Sequence, residues 1–268
     1  MLAQIPFPEI SPEIFTLPIA GMEFSLRWYA LAYIVGIIIA WKVSIRAVSR
    51  PTLWSGTAPL TKPQLEDLLT WIIFGIILGG RLGFVLFYEP AYYLANPSQI
   101  LKVWQGGMAF HGGFLGVLLA GAWFARRIKA DFYAIGDLLC ALAPAGLLFG
   151  RLANFINGEL VGDPSYLPWA VIFPREGAEP RHPSQLYEAF AEGLLPLLWV
   201  LRRYPLRLSP GRLAGEFLLL YSVGRIVCEA FRSPEDGYVL GLTAGQFWTL
   251  PLAAFGAWLV WRARRRTE

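Results

Sequence analysis

The chain has 268 residues, of which 56% are hydrophobic and only 16% are charged, with a formal net charge of +4. Soluble domains carry about 25% charged residues, so this composition and the mean hydropathy of +0.48 favour a membrane protein. The basic residues form short clusters between apolar runs, which argues against nucleic acid as a partner. Two cysteines are too few for a disulfide framework or a metal cluster.

The N-terminal residues 1–23 are predicted to form an irregular or interfacial arm outside the membrane. They are rich in proline, contain Glu9 and Glu13, and lack the basic start of a signal peptide. We therefore expect the first apolar segment to remain uncleaved and to be the first membrane helix.

Seven apolar segments follow the arm, each near the roughly 20 residues that a membrane helix needs. The predicted spans are 24–45, 67–88, 108–126, 134–155, 184–201, 212–231 and 243–262. Pro196 interrupts the fifth span, which neighbouring helices can tolerate. The proline-rich segment 156–183 predicts a small folded cap on the outer face. The predicted fold is thus an all-α polytopic membrane protein, with residues 1–268 forming one integral membrane domain.

The distribution of lysine and arginine predicts the orientation, because cytoplasmic loops are enriched in these residues. One side collects Lys42, Arg46, Arg50, Lys62, Arg126, Arg127, Lys129, Arg202, Arg203, Arg207, Arg212, Arg262, Arg264, Arg265 and Arg266. The other side has Arg27, Lys102, Arg175, Arg181 and Arg232. The first set faces the cytoplasm, so the N-terminus is predicted outside and the C-terminus inside. Small residues at four-residue spacing predict close helix packing: Gly75, Gly79 and Gly83; Gly112, Gly116 and Ala120; Gly146 and Gly150.

The remaining three arginines, Arg81, Arg151 and Arg225, lie within predicted spans. A mid-helix arginine costs about 2.5–3.5 kcal/mol on insertion scales, so each requires an explanation. Polar groups from six helices fall at one depth in the outer leaflet, which predicts a shared, partly hydrated cavity. A set of structural ion pairs, such as Arg225 with Glu229, is the alternative. The expected surplus of arginine over carboxylate favours an anionic ligand, and a lipid phosphate suits the guanidinium group.

The most specific local pattern is GRLANFINGELVG at 150–162, where Arg151 and Asn154 share a helix face and Asn157-Gly158 ends the helix. This segment closely resembles the signature of bacterial prolipoprotein diacylglyceryl transferases. Similar pieces are RWYALAY (27–33), GGRLGFVLFY (79–88), GGMAFHGGFLG (106–116), HPSQLYEA (182–189) and residues 221–236. The resemblance spans nearly the whole chain in order.

The resemblance implies a multi-pass enzyme of the bacterial inner membrane with its active site toward the periplasmic leaflet. Such an enzyme transfers the diacylglyceryl group of phosphatidylglycerol to the lipobox cysteine of a preprolipoprotein, giving a thioether and sn-glycerol-1-phosphate. Its expected partners are phosphatidylglycerol, membrane lipid and the signal peptide that contains the lipobox cysteine. No cofactor or metal is implied.

Catalysis requires help with the thiol proton and neutralisation of charge on the departing phosphate. Arg151 and Arg225 are expected to clamp the phosphate, and His111 is the candidate general base. A hydrogen-bonding role for His111 that only orients the headgroup is the alternative. The expected substrate-binding residues are Tyr29, Arg81, Asn154, Asn157, Gly158, Glu159, Gly162, Tyr221 and Glu229. For Arg81, headgroup contact and pairing with a carboxylate remain equally open.

Two other classes of protein are considered. A transporter favours internal repeats and sites near the midplane, whereas the charges here lie toward the outer side. A structural scaffold does not need three arginines within the membrane.

Overall fold

The structure is a computed structural model that describes residues 5–8, 10–19, 22–50, 53–54, 58–206, 208–233 and 237–265. The chain divides into two compact units, Met1–Ser44 with Asp137–Glu268, and Ile45–Gly136. The helices are α1 (Trp28–Val48), α2 (Lys62–Phe87), α3 (Pro90–Ala95), α4 (Phe110–Ile128), α5 (Phe132–Cys140), α6 (Ala143–Asn157), α7 (Ser184–Glu188), α8 (Leu195–Arg203), α9 (Arg212–Glu229) and α10 (Ala244–Arg264). The strands are β1 (Ile5–Pro6), β2 (Glu13–Ile19), β3 (Met22–Arg27), β4 (Val171–Ile172), β5 (Pro180–Arg181), β6 (Tyr238–Val239) and β7 (Leu242–Thr243).

Helices occupy all seven predicted spans, and three segments among the described residues are long and apolar enough to cross a membrane. These segments are Ala30–Val48, Lys62–Phe87 and Phe132–Asn157. The third comprises α5 and α6, which are separated by a turn at residues 141–142. Pro144 opens α6 there, since proline lacks the N–H that a continuous helix would require. The fold is therefore that of a mostly helical membrane protein.

The prediction of an all-α fold is confirmed only in part, because the described residues are mostly helical but also form short strands. Strands β1 and β2 lie in the arm, which was expected to be irregular or interfacial. Strands β2 and β3 form an antiparallel hairpin that extends to Arg27 and delays the start of the first helix to Trp28. Strand β1 pairs in parallel with β4, and β4 pairs antiparallel with β5. The N-terminal arm and the cap at 156–183 thus share one small sheet. Residues 1–4, 9, 20 and 21 of the arm lie outside the described residues.

Beneath this sheet lies a small apolar core built by the arm and the cap together. Val161, Val171 and Phe173 are buried in it. The ring of Phe7 lies 5.4 Å from that of Phe173 and 5.6 Å from that of Phe155, measured between centroids. Burial of aromatic surface therefore holds the arm against the cap and the end of α6.

In the second unit, α2 and α4 approach closely along the glycines that the sequence analysis identified. A Cβ atom added to Gly75 would lie 2.6 Å from the carbonyl oxygen of Gly116, and one on Gly83 would lie 2.8 Å from the Cα of Gly112. No side chain fits between these backbones, so the predicted packing of α2 on α4 is confirmed. A Cβ added to Gly146 or Gly150 would meet no described atom within 4 Å, but one added to Gly36 on α1 would lie 3.5 Å from the Cα of Gly146, an ordinary packing distance.

The predicted fifth span contains a wider helical turn. Between α7 and α8, residues Ala189–Leu194 form a π-helical segment. Pro196 follows directly, and its ring would clash with the carbonyl of the residue four positions earlier, Glu192, in a regular α-helix. The wider turn accommodates the proline without ending the helix.

Candidate functional site

The first unit contains a cluster of charged side chains at the meeting point of α6, the α7–α8 segment and α9. Arg151 Nε lies 2.9 Å from Glu188 Oε2, and Arg225 Nη1 lies 3.0 Å from Glu188 Oε1. Glu192 approaches the same two arginines at 3.3 Å and 3.6 Å. Arg151 and Arg225 therefore converge on one pair of carboxylates, which is the ion pairing that the sequence left open as the alternative to a phosphate site.

Glu229 extends this cluster on the side of α9. Arg225 Nη2 lies 2.8 Å from Glu229 Oε2, the ion pair expected from their four-residue spacing. Glu229 also accepts a hydrogen bond from Thr243 Oγ1 at 3.1 Å, which ties it to the start of α10. Tyr221 lies one turn before Arg225, and its ring is 6.2 Å from that of Phe217.

Three members of the cluster are not among the catalytic or substrate-binding residues expected from the sequence: Glu188, Glu192 and Arg232. Arg232, assigned only to the outer basic residues, lies 3.1 Å from Glu188 Oε1 through its Nη1 atom. Glu192 was not identified, although its spacing from Glu188 is the same as that of Arg225 and Glu229. Among the described side chains the cluster holds three arginines and three glutamates. The expected surplus of arginine over carboxylate is therefore not found here.

The end of α6 forms a second polar group around Glu159. Asn154 Nδ2 donates to Glu159 Oε1 at 2.6 Å, and Asn157 Nδ2 donates to the same oxygen at 3.4 Å. Gly158 ends the helix in the left-handed conformation with φ of 64°, as the Asn157-Gly158 pair predicts. Arg151 and Asn154 lie one turn apart, but Arg151 bonds the glutamate pair whereas Asn154 bonds Glu159.

Gly162 joins the cap to the segment that follows α9. It forms a β-bridge with Arg232, and its N–H donates to the carbonyl of His182. An added Cβ would lie 2.6 Å from His182 Cβ, so only glycine fits at this crossing. His182 Nδ1 lies 3.1 Å from the hydroxyl of Tyr187, and burial lowers the pKa of the imidazole. Residues 234–236 of the matching segment lie outside the described residues.

Arg81 and His111 lie in the second unit. Arg81 is only 4% exposed, and the hydrogen bonds of its guanidinium go to backbone carbonyls. The acceptors are Ile100 (2.8 Å), Gly106 (2.5 Å), Gly107 (3.2 Å), Gln99 (2.6 Å) and Lys102 (3.4 Å). Its carbon Cζ also lies 5.1 Å from the ring centroid of Tyr93. Arg81 therefore holds the segment between α3 and α4.

The candidate base His111 and the candidate substrate-binding residue Tyr29 each lie in the first turn of a helix. His111 is exposed in the first turn of α4. Tyr29 lies in the first turn of α1, but its side chain is outside the described part of the structure.

Apolar helices of membrane-crossing length, together with a buried arginine–glutamate cluster, define a helical membrane protein with a polar site. The family model for prolipoprotein diacylglyceryl transferase matches residues 16–262. The chain belongs to this family, so the resemblance seen in its motifs is confirmed.

Several curated relatives support this membership over their full lengths. A phosphatidylglycerol–prolipoprotein diacylglyceryl transferase of Ruegeria pomeroyi is 52% identical, covering 98% of this chain and 99% of the relative. Those of Roseobacter denitrificans and Rhizobium meliloti are 49% and 48% identical, each over 98% of this chain.

Proposed function

We propose that this chain transfers the diacylglyceryl group of phosphatidylglycerol to the lipobox cysteine of preprolipoproteins, the first step of bacterial lipoprotein maturation. Family membership along nearly the whole chain supports the reaction. The observation that carries the mechanism is the convergence of Arg151 and Arg225 on the same two carboxylates. Two guanidinium groups held side by side offer the paired donors that a phosphate ester binds.

The reaction exchanges a carbon–oxygen bond for a carbon–sulfur bond. The cysteine sulfur attacks the carbon of the diacylglyceryl group that is bonded to the phosphate oxygen, and the thiol proton passes to a base. The carbon–oxygen bond breaks, and its electron pair leaves with the phosphate oxygen of sn-glycerol-1-phosphate. The phosphate changes from a diester of charge −1 to a monoester of about −1.5 to −2 at pH 7. Arg151 and Arg225 stabilise this developing charge.

His111 is the proposed base, since a ring nitrogen of a neutral imidazole can accept a proton and only the deprotonated thiolate is an effective nucleophile. Its position in the first turn of α4 is compatible with either proton transfer or headgroup orientation.

The other proposed roles concern substrate binding and placement in the membrane. Tyr29 and Asn154 hydrogen-bond headgroup oxygens, and Tyr221 and Glu229 orient Arg225. Asn157, Gly158, Glu159 and Gly162 shape the outer cap above the headgroup. Arg81 acts through the backbone segment that it holds. The chain crosses the inner membrane seven times as one domain, with its N-terminus outside and its site toward the periplasmic leaflet.

The proposal is tested by incubating the purified protein with acyl-labelled phosphatidylglycerol and a peptide containing a lipobox cysteine. Label should become thioether-linked to this peptide and not to a matched serine peptide. Arg151→Ala and Arg225→Ala should each lower the transfer rate about 10²–10³-fold, as expected for loss of a charge-stabilising donor. Arg203→Ala is the matched control, because Arg203 pairs with Glu216 elsewhere on α8 and α9. Folded arginine variants with normal transfer would contradict the phosphate clamp.

The two roles considered for His111 are separated by measuring binding and transfer in the same variant. His111→Ala that binds phosphatidylglycerol normally but does not transfer supports proton abstraction. His111→Ala that fails to bind the lipid supports headgroup orientation and removes the proposed base.

A further inference from the structure

The two glutamates bridge the arginine pair in the same way. Each carboxylate directs its Oε2 atom to Arg151 and its Oε1 atom to Arg225. Glu188 makes the shorter contacts, at 2.9 Å and 3.0 Å, and also pairs with Arg232. Glu192 makes longer contacts to the same two arginines, at 3.3 Å and 3.6 Å. Glu188 thus fixes the pair, while Glu192 adds a second, looser negative charge beside it.

The local fold brings Glu192 to this place. The π-helical segment Ala189–Leu194 contains it and is pressed between α6 and α9. A Cβ on Gly193 would lie 2.6 Å from Leu148 Cα, and one on Gly224 would lie 2.7 Å from the carbonyl oxygen of Ala191. Because these two glycines have no side chains, the π-helical segment packs closely against both α6 and α9. The carboxylate of Glu192 therefore reaches Arg151 on α6 and Arg225 on α9.

The arginine and glutamate side chains of the cluster differ in their exposure to solvent. The side chains of Arg151 and Arg225 are 17% and 14% exposed, whereas those of Glu188 and Glu192 are fully buried. The two arginine side chains are therefore partly accessible, whereas the two carboxylates are enclosed. Any effect of Glu192 on a bound phosphate acts through the charge and the position of the arginine pair.

We propose that Glu192 is a positioning residue that partly offsets the charge of the Arg151–Arg225 pair, so that the phosphate product can leave. This inference rests on the proposed function, in which the substrate phosphate has a charge of −1 and the product a charge approaching −2. An arginine pair without its second carboxylate attracts both anions more strongly, and the product more than the substrate. Glu192 thus keeps product release from limiting turnover.

The test uses Glu192→Gln, which removes the charge but keeps the size of the side chain. In detergent micelles, the KM for phosphatidylglycerol should fall several-fold. The inhibition constant of sn-glycerol-1-phosphate should fall about tenfold, because the product bears more charge. The kcat should fall as product release becomes limiting. A purely structural role would lower thermal stability without tightening product inhibition.

Two further variants complete the experiment. Glu192→Asp keeps the negative charge but moves it away from the arginine pair by the length of one methylene group. This variant should therefore tighten product inhibition only about two- to threefold. It also provides the measurement if Glu192→Gln does not fold. Glu216→Gln is the matched control, since Glu216 is a buried carboxylate held by Arg203 and Arg212 away from the cluster. It should change thermal stability but neither KM nor product inhibition.

The outcomes distinguish this inference from the proposed function. A wild-type protein that forms no thioether on the lipobox peptide defeats the proposed function itself. If the wild-type protein is active but product inhibition is unchanged or weaker in Glu192→Gln, only the inference about Glu192 is overturned. Equal product inhibition in Glu192→Gln and Glu192→Asp overturns it as well, because charge would then not be the property that matters.

Discussion

At the scale of single residues, Arg81 shows how an arginine within an apolar helix can hold a neighbouring backbone segment. Its guanidinium donates to five carbonyls between Gln99 and Gly107. A lysine keeps the charge but offers only three donors from one nitrogen, so it cannot reproduce this planar arrangement.

We therefore predict that Arg81→Lys loosens residues 97–107. Each hydrogen bond to a charged group contributes about 1.5–3 kcal/mol, so amide exchange in this segment should accelerate at least tenfold. Hydrogen-exchange mass spectrometry measures the effect. Arg127→Lys serves as control, because Arg127 is exposed and contacts the ring of Trp123. Unchanged exchange at 97–107 would show that the carbonyl contacts do not hold the segment.

The sequence predicts some residues of the site and not others for a physical reason. Arg151 and Arg225 are identifiable because an arginine in an apolar helix is costly and must have partners. The spacing of Arg225 and Glu229 indicates one such pair, but Glu188 and Glu192 are more than 30 residues from either arginine, so no local pattern assigns them. Arg232 follows α9 and looks like an ordinary basic residue of an outer loop until the fold brings it to Glu188.

At the scale of secondary-structure elements, the glycine contacts between α2 and α4 determine how closely these helices approach. A methyl group on Gly116 would overlap the carbonyl oxygen of Gly75, whereas one on Gly113 would lie 3.6 Å from the carbonyl oxygen of Ile76. The two glycines belong to the same helix, α4, but only Gly116 has backbone directly against it.

We predict that Gly116→Ala lowers the free energy of unfolding by about 1–3 kcal/mol, the usual cost of overpacking. Gly113→Ala should be neutral or slightly stabilising, since alanine favours helix over glycine by about 0.5–1 kcal/mol. Thermal unfolding of the two variants in detergent measures the difference. Equal stabilities would mean that α2 and α4 can separate without cost.

The sequence predicts apolar helices far better than short strands in this chain. A run of about 20 apolar residues has few alternatives to a helix in a membrane. In contrast, β1, β4 and β5 have two residues each, which is too short for a periodic pattern. Their pairing depends on contacts between the arm and the cap, which only the folded chain provides. The π-helical segment before Pro196 is likewise absent from the apolar pattern, because a proline within a span can be accommodated by more than one local change of the helix.

At the scale of the whole molecule, the proposed orientation is testable by chemical labelling. With Cys140 and Cys228 replaced by alanine, we predict that a cysteine at Glu176 reacts with an impermeant maleimide in intact spheroplasts. A cysteine at Arg126 should react only after permeabilisation, because basic loops remain in the cytoplasm. Both positions are exposed, so differences in reactivity report the side of the membrane. The reverse pattern would invert the topology.

The pairing of β1 with β4 has a consequence for biosynthesis. Ile5 leaves the ribosome about 165 residues before Val171, its partner in the sheet. During translation of the intervening helices, the arm has no strand to join and Phe7 has no pocket formed by Phe155 and Phe173. Pairing of the arm with the cap therefore belongs to the late stage of assembly, after the cap has been synthesised. A nascent chain halted before Pro180 should still expose its N-terminus to added protease.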